Sequence, residues 1–537
     1  MAITYSISGG ADAAKFNIDA TSGALTFKVA PDFEKPGDAN ADNKYEVIVQ
    51  ATDATGLSST KPVTVTVTDV SEGSPPQITS AGAISVKENQ LVVMTITATD
   101  PDDGTVPPIE PPTGGNVTTG DYYVATNGSD SNNGTSVNSP FKTIEKAASV
   151  VSAGKTVLVK AGTYSPNTIY FGNHGTTAAP IKFLPYGTDK PVIDGANTSA
   201  NVAMIQMNAN YTILGPGFVL QNSKANGIAF WQAVGSQVIG NTVKGCTGAG
   251  IYCTGPAGGP QKDCIIKDNI VFNNSLMNKD HALNNQGGWG MGITVQRADN
   301  CLVEGNHVYE NWGEGIGTFE QNGAKVRNNI VHDNYSIQVY PDNAPNTEVS
   351  GNLVYWSGDK KWSWDGTDKP DGIRMCRETN VNANDNIRIF NNIVVATSNG
   401  VASMEYGAGG GCQNCKVYNN TLVNCGIQFE GGGNNRGNEF KNNIISGGYG
   451  SYGPNTGWAC SNNNWNGNSA GNFAGSGDVN AAPGFVGTAG ALDANAYKLN
   501  ANSPCKQKGM NFKSVVAKDY AKVDRPASGN FTIGGYE

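Results

Sequence analysis

The sequence predicts an all-β solenoid, a chain wound into stacked coils of short strands. Three observations lead there. Eight segments in the second half read alike, among them VIGNTV, VEGNHV, VRNNIV and FKNNII, and their aligned asparagines are Asn241, Asn269, Asn306, Asn329, Asn352, Asn392, Asn420 and Asn443. The spacings are 28, 37, 23, 23, 40, 28 and 23, so a 23-residue unit recurs and the longer steps read as that unit plus an insertion. The composition is rich in Gly, at 69 of 537 residues, with only 15% charged residues, which suits stacked units that bury apolar faces on their neighbours.

Each element follows from local pattern. Residues 1–72 alternate apolar and polar, as in ALTFKVA and KPVTVTVTDV, with Gly-rich turns between them, which predicts a β-sandwich. Residues 105–119 are Pro/Gly-rich without periodicity and read as a linker. From residue 120 to 537 the chain reads as the solenoid, entered through an amphipathic helix over Pro140 to Val151 with Phe141, Ile144, Ala147, Ala148 and Val151 on one side. A helix there caps the exposed edge of the first coil. Each ladder asparagine is expected at a sharp turn, in left-handed backbone, with its amide bonded to the asparagines of adjacent coils. The Ile/Val that follows points into the core.

Charge and composition exclude several classes. Net charge is -9 and no basic run exists, which excludes a nucleic-acid partner. No apolar stretch reaches the length of a membrane span. The chain opens MAITYSISGG, inside a domain, as a fragment or processed form would. Ten cysteines show no zinc spacing; Cys264, Cys301 and Cys415 fall five residues before a ladder asparagine and are expected inside the coil, while Cys460 and Cys505 have the option of a staple.

Solenoid columns turn sequence into surface. A second word follows each ladder segment, from GIAFWQ to GIQFE, and its strand-end positions read Gln232, Arg297, Glu320, Asp342, Arg377 with Glu378, Glu405 and Glu430. A charged stripe in a chain of few charges is the best site candidate. Two insertions precede that column and would wall it: one carries Lys279, Asp280, His281 and Trp289, the other Lys360, Lys361, Trp362, Trp364 and Asp365, with Trp312 close by. Indole faces beside charged groups suit sugar binding. His281 is the histidine in acid/base position, whereas His307 and His332 belong to repeat words and read as structural or solvent-facing.

The entry words VLVKAGTY, the xNNIV ladder and the closing DRPASGNFTIGGYE resemble the right-handed parallel β-helix family of pectate-lyase-like proteins. The words DFE, ATDATG and TVTVTDVSEGSPP resemble a cadherin-type repeat, with residues 77–104 looking like the first strands of another, so that residues 1–104 carry one repeat in permuted order. Such a module is open to completion by strands of a neighbouring copy. The β-helix resemblance implies a secreted or cell-surface bacterial protein acting on polysaccharide. A lyase would use Arg297, Glu320, Asp342, Lys279, His281 and Arg377 for catalysis, and Trp289, Trp312, Trp362, Trp364, Arg374 and Glu405 for substrate. Ca²⁺ would be held in that cleft by Glu378 with Glu320 and Asp342. The cadherin-like part implies calcium at Asp32, Glu34, Asp53, Asp69, Glu88, Asp100 and Asp102. Two alternatives stand beside the lyase: a glycoside hydrolase using a Glu/Asp pair, and a non-catalytic adhesin or polymer-forming protein.

Overall fold

The computed structural model describes the chain except residues 1–2, 30, 32, 34, 68–76, 79–97, 100–115, 277–289, 364–367, 379–383, 405–410, 431–433, 453–454 and 489. Two compact units divide it, residues 1–104 and 105–537. In the first, the strands Thr4–Gly9, Lys44–Thr52 and Ser58–Thr66 form an antiparallel sheet, and Phe16–Ile18 pairs with Leu25–Phe27. Its core is Phe16, Tyr45 and Val47, with Phe16 stacked on Phe27 at 4.5 Å between ring centroids. Of the carboxylates expected to bind calcium in this unit, Asp53 alone is described. Its Oδ1 accepts from Thr55 N, Thr55 Oγ1 and Leu57 N, so that oxygen is spent on its own turn. Asp32, Glu34, Asp69, Glu88, Asp100 and Asp102 lie outside the described residues.

The second unit is a right-handed parallel β-helix with three parallel sheets of 13, 11 and 11 strands among the described residues. One coil shows the plan. Lys325–Arg327 lies in the first sheet, Ile330–His332 in the second and Ile337–Asp342 in the third, and the chain re-enters the first sheet at Glu348–Ser350. The helix at the entrance is shorter than the sequence suggests, Ile144–Val150, because the Thr143 side chain accepts from Lys146 N and caps it there. Ile144, Ala147, Ala148 and Val151 join the solenoid core, as expected.

The asparagine ladder forms between the first and second sheets. The Oδ1 of each asparagine accepts the backbone N–H of the preceding one at 2.9–3.0 Å, from Asn241 through to Asn443. The Asn306 Nδ2 donates both to Asn329 Oδ1 and to the carbonyl of Ile266 in the coil before. The ladder runs on through Asn463 and ends on the carboxylate of Asp478. These amides are at most 1% exposed, so each is a buried polar group that is fully paired.

Two expectations about the turn need correcting. Left-handed backbone belongs to the residue before each ladder asparagine, such as Asp268 (φ 54°), Gly305 (φ 66°) and Asn328 (φ 56°). The ladder residue must keep ordinary φ so that its amide points inward. The immediately following residue faces out, as Ile270 and Ile330 do at 42% and 40% exposure, and the core position is one further on, Val271 and Val331 at 0%. A second ladder, unseen in the sequence, lies five residues past the first. Asn274, Asn311, Asn334 and Gln338 pass the same N–H to amide-oxygen bond across the corner between the second and third sheets at 3.1 Å.

All ten cysteines are unpaired, and Cys264, Cys301 and Cys415 are buried in the core. Cys460 and Cys505 do not form the staple allowed above. The last segment instead straps the coils. Ala494, Tyr497 and Tyr536 pack on Leu353, Ile393, Val395 and Val423 of the second sheet. The buried Arg525 guanidinium bonds Asn391 Oδ1, the carbonyl of Gly534 and the Glu537 carboxylate.

Replacing Asn329 by Ala would strip the acceptor from the buried Asn306 N–H and Nδ2 and leave the Val303 carbonyl short. We expect a loss of at least about 2 kcal/mol in chemical denaturation. Asn322→Ala, on an exposed loop, should stay within about 0.5 kcal/mol.

Candidate active site

The charged residues gather where the strands of the third sheet end. Strand register sets their levels. Gln296 pairs with Phe319, Phe319 with Asp342, and Asp342 with Cys376. Arg297, Glu320 and Arg377 therefore share one column, and its member in the intervening coil is Asn343. Asp342 sits one position earlier, on the outer face of the sheet beside Phe319. That corrects the column expected from the sequence, which placed Asp342 level with Glu320.

The corner itself is strained. Gln232, Arg297, Glu320 and Asn343 all have left-handed backbone, with φ of 58°, 51°, 46° and 49°. Asn tolerates this conformation, while Arg and Glu lack that ease. Arg297 and Glu320 are thus held in this conformation against backbone preference. Arg297 reaches across one coil, and its Nε and Nη2 both contact Glu320 Oε2 at 2.7 Å. The Arg297 side chain remains 40% exposed against 11% for Glu320, so the guanidinium faces solvent.

Beside this pair lies a buried acid. Asp342 is 5% exposed and its Oδ1 accepts the backbone N–H of Glu378 at 3.0 Å. Burial, with the Glu378 and Glu320 carboxylates close by, pushes the Asp342 carboxyl up to about 7. Glu378 accepts a 2.6 Å hydrogen bond from the Tyr340 hydroxyl, whose own ionisation is pushed far out of range by burial. Phe319 meets Tyr340 edge to face at 5.7 Å. The Phe319 ring has room because residue 317 is glycine: a Cβ there would lie 2.2 Å from the ring. Two more guanidinium groups complete the surface. Arg374 contacts Asp371 Oδ2 at 2.7 Å, yet its buried Nε proton is not aimed at an acceptor, and the buried Arg377 Nε likewise has no described hydrogen-bond partner. A pocket of about 260 Å³ adjoins on the N-terminal side, lined by Tyr252, Thr294, Gln296, Met291, Phe319 and Asn226.

Several expected site residues fall elsewhere. Trp312 and Trp362 are 7% and 1% exposed and pack with Tyr335 into a small core, Trp312 stacking on Tyr335 at 3.6 Å. They anchor the insertion on the coil and offer no open face to a sugar. Lys361 sits over the Trp362 ring at 4.5 Å. Lys279, Asp280, His281, Trp289, Trp364, Asp365 and Glu405 lie outside the described residues. Tyr340 and Asp371 were missed by the sequence reading, although both stand on outward positions of strands that carry expected residues.

The acidic groups fit calcium poorly among the described residues. Asp342 and Glu378 are hard oxygen donors whose mutual repulsion a cation would relieve. They fall short of the six to eight oxygens such an ion takes, and Glu320 is held by Arg297. The described residues bring three metal-binding side chains together only at Cys253, Cys264 and Cys301. Those thiols are shut in the core, and Cys264 and Cys301 bond main-chain carbonyls.

Residues 122–352 match the family model described as "Pel9A-like, right handed beta helix region", and residues 284–445 match "Right handed beta helix region". Among curated relatives, the chain is 36% identical over 107 residues to the uncharacterized protein YwoF of Bacillus subtilis, covering 19% of this chain and 22% of that one. It is 39% identical over 80 residues to pectate lyase L of Dickeya dadantii, covering 14% and 19%. The matched stretches thus span about a fifth of those relatives' length. Among solved structures, XylC in complex with xylose superposes with a TM-score of 0.50 at 11% identity, over 77% of this chain and 98% of that one. Pectate lyase Pel9A gives 0.49 at 17%, over 78% and 96%.

The raised Asp342 carboxyl has a consequence for stability. Below about pH 4 the folded and unfolded chains both hold the proton; between there and pH 7 only the folded chain does, so this group's contribution falls as pH rises and levels off above about 7. Asp342→Asn should therefore raise thermal stability at pH 8, by at most about 4 kcal/mol, and change little at pH 4. Melting curves at the two pH values check this. The second unit of this chain is a right-handed parallel β-helix.

Proposed function

We propose that the chain is a polysaccharide lyase that cleaves a uronate-containing glycan by β-elimination on the outer face of the third sheet. The observation that carries this reading is Asp342: a buried carboxyl poised near neutrality beside Glu378 and Glu320, one position from the column that carries Arg297 and Arg377. β-Elimination needs two things, neutralisation of the uronate carboxylate and a base at the weakly acidic C5 proton. The guanidinium groups serve the first, with that of Arg297 more open to solvent than that of Arg374. Ionised Asp342 takes the C5 proton, the electron pair forms the C4–C5 double bond, and the C4 oxygen leaves with a proton returned from the carboxyl. The Tyr340 hydroxyl holds Glu378 by its Oε1. The short identities to pectate lyase L point toward the same class of reaction.

A hydrolase draws on the same pair. A raised carboxyl beside a second carboxyl can serve as an acid/base couple, and here Asp342 would be the acid and Glu378 the base. The pH profile separates the two. A lyase whose base is Asp342 gains kcat/KM as pH climbs through about 7, and a hydrolase whose acid is Asp342 loses it.

A panel of uronate polysaccharides followed by ultraviolet absorbance of the unsaturated product tests the proposal. We expect turnover by the parent, a loss of at least about 100-fold in Asp342→Asn, and a marked rise in KM in Arg297→Ala. Reducing-sugar release without unsaturated product would turn the reading to hydrolysis. Glycan binding without either product would turn it to an adhesin. Glu320→Asn should lose turnover while keeping or raising stability, because Asn suits the left-handed corner that Glu320 occupies. That combination separates a functional corner from a structural one.

A further inference from the structure

The outer face of the second sheet carries a device that the lyase reading leaves unused. His307 and His332 stand on adjacent coils, one residue pair apart on the diagonal, since His307 pairs with Ile330 and Tyr309 with His332. Their Nε2 atoms meet at 2.8 Å. The His332 imidazole is fixed from three sides. Tyr309 stacks on one face at 5.1 Å and 3°, and Tyr355 on the other at 4.3 Å and 8°. Its Nδ1 bonds Asp333 Oδ2 at 2.8 Å, while Asp333 Oδ1 accepts the Ser357 N–H at 2.8 Å. Asp333 is 6% exposed and in left-handed backbone (φ 49°), so the carboxylate that orients the ring is itself locked. With Nδ1 donating to that carboxylate, His332 presents a lone pair at Nε2.

From this array we propose a transition-metal site, taking Cu²⁺ or Ni²⁺ on His307 Nε2 and His332 Nε2, with Asp333 as the carboxylate that orients His332. An imidazole held by a carboxylate on its far nitrogen is the usual form of a metal-binding histidine. The two Nε2 atoms, 2.8 Å apart, are close enough to reach one ion with metal–nitrogen bonds of about 2.0–2.1 Å after a small tilt, and imidazole suits both ions. In the metal-free chain the two rings share one proton on that axis. On binding, His307 moves this proton to its own Nδ1 and tilts, both nitrogens turn lone pairs to the ion, and no proton need be released. Water fills the remaining positions, because His307 and His332 are only partly buried. Neutral imidazole and no added carboxylate ligand favour these ions over calcium or magnesium. The site is independent of the lyase proposal, being on a different sheet.

The test is titration of the chelator-treated full chain with Cu²⁺ and Ni²⁺, read by calorimetry, melting temperature and, for Cu²⁺, electron paramagnetic resonance. We expect a stoichiometric Cu²⁺ site with nitrogen hyperfine structure, and a melting temperature that rises with Ni²⁺. His307→Ala and His332→Ala should each weaken binding at least about 10-fold, and Asp333→Asn about 10- to 100-fold. Asn suits the left-handed position of Asp333, and metal-free melting of all three variants reports folding separately. A variant lacking both His174 and His281 should bind as the parent does. Absence of binding, binding unchanged in both single alanine variants, or a copper spectrum without nitrogen would each overturn the proposal.

Discussion

The stacked amide column is the constraint on which the rest of this molecule depends. A parallel coil advances about 4.8 Å per turn, and the amide of an asparagine is short enough to bridge that step while its backbone N–H is bridged in turn. From Asn241 to Asp478 each member takes the N–H of one coil and offers its own to the next. A slip by one residue would turn the valines of the core outward and bury the outward row. The asparagines therefore fix register as well as stability. Everything on the outer faces, including the ion pair of Arg297 with Glu320, inherits its geometry from that register.

The outer surface then behaves as a grid. Positions far apart in the chain, such as Arg297, Glu320 and Arg377, fall in one file because the corner of the third sheet repeats. The same grid puts an acid one step aside from the file, at Asp342, where it is buried against Tyr340 and Glu378. On that sheet face, burial and the neighbouring carboxylates push its carboxyl up to about 7.

Much of this was legible in the sequence, for physical reasons. The ladder shows because asparagine must recur at one corner, and its spacing gives coil length directly. The charged stripe shows because charges are rare in the chain. What escaped was geometry within one residue. The left-handed position falls just before the ladder asparagine, and a non-glycine left-handed corner leaves no clear mark when Arg or Glu occupies it. The second ladder had a signal, an asparagine five residues past Asn269, Asn306 and Asn329, but three members in a row are easily lost among so many asparagines. Trp312 and Trp362 misled because an aromatic residue in or beside an insertion reads the same whether it meets solvent or packs against the coil. Burial of their rings against Tyr335 is a tertiary fact.

The strap over the second sheet bears on how the molecule comes into being. Residues 494–536 lock coils that contain Leu353, Ile393 and Val423, all of which leave the ribosome well before them. The early coils can zip up one on another as they emerge, whereas the middle of the solenoid waits for a clasp that arrives late. A nascent chain thus carries that flank bare until residues 494–536 have been made.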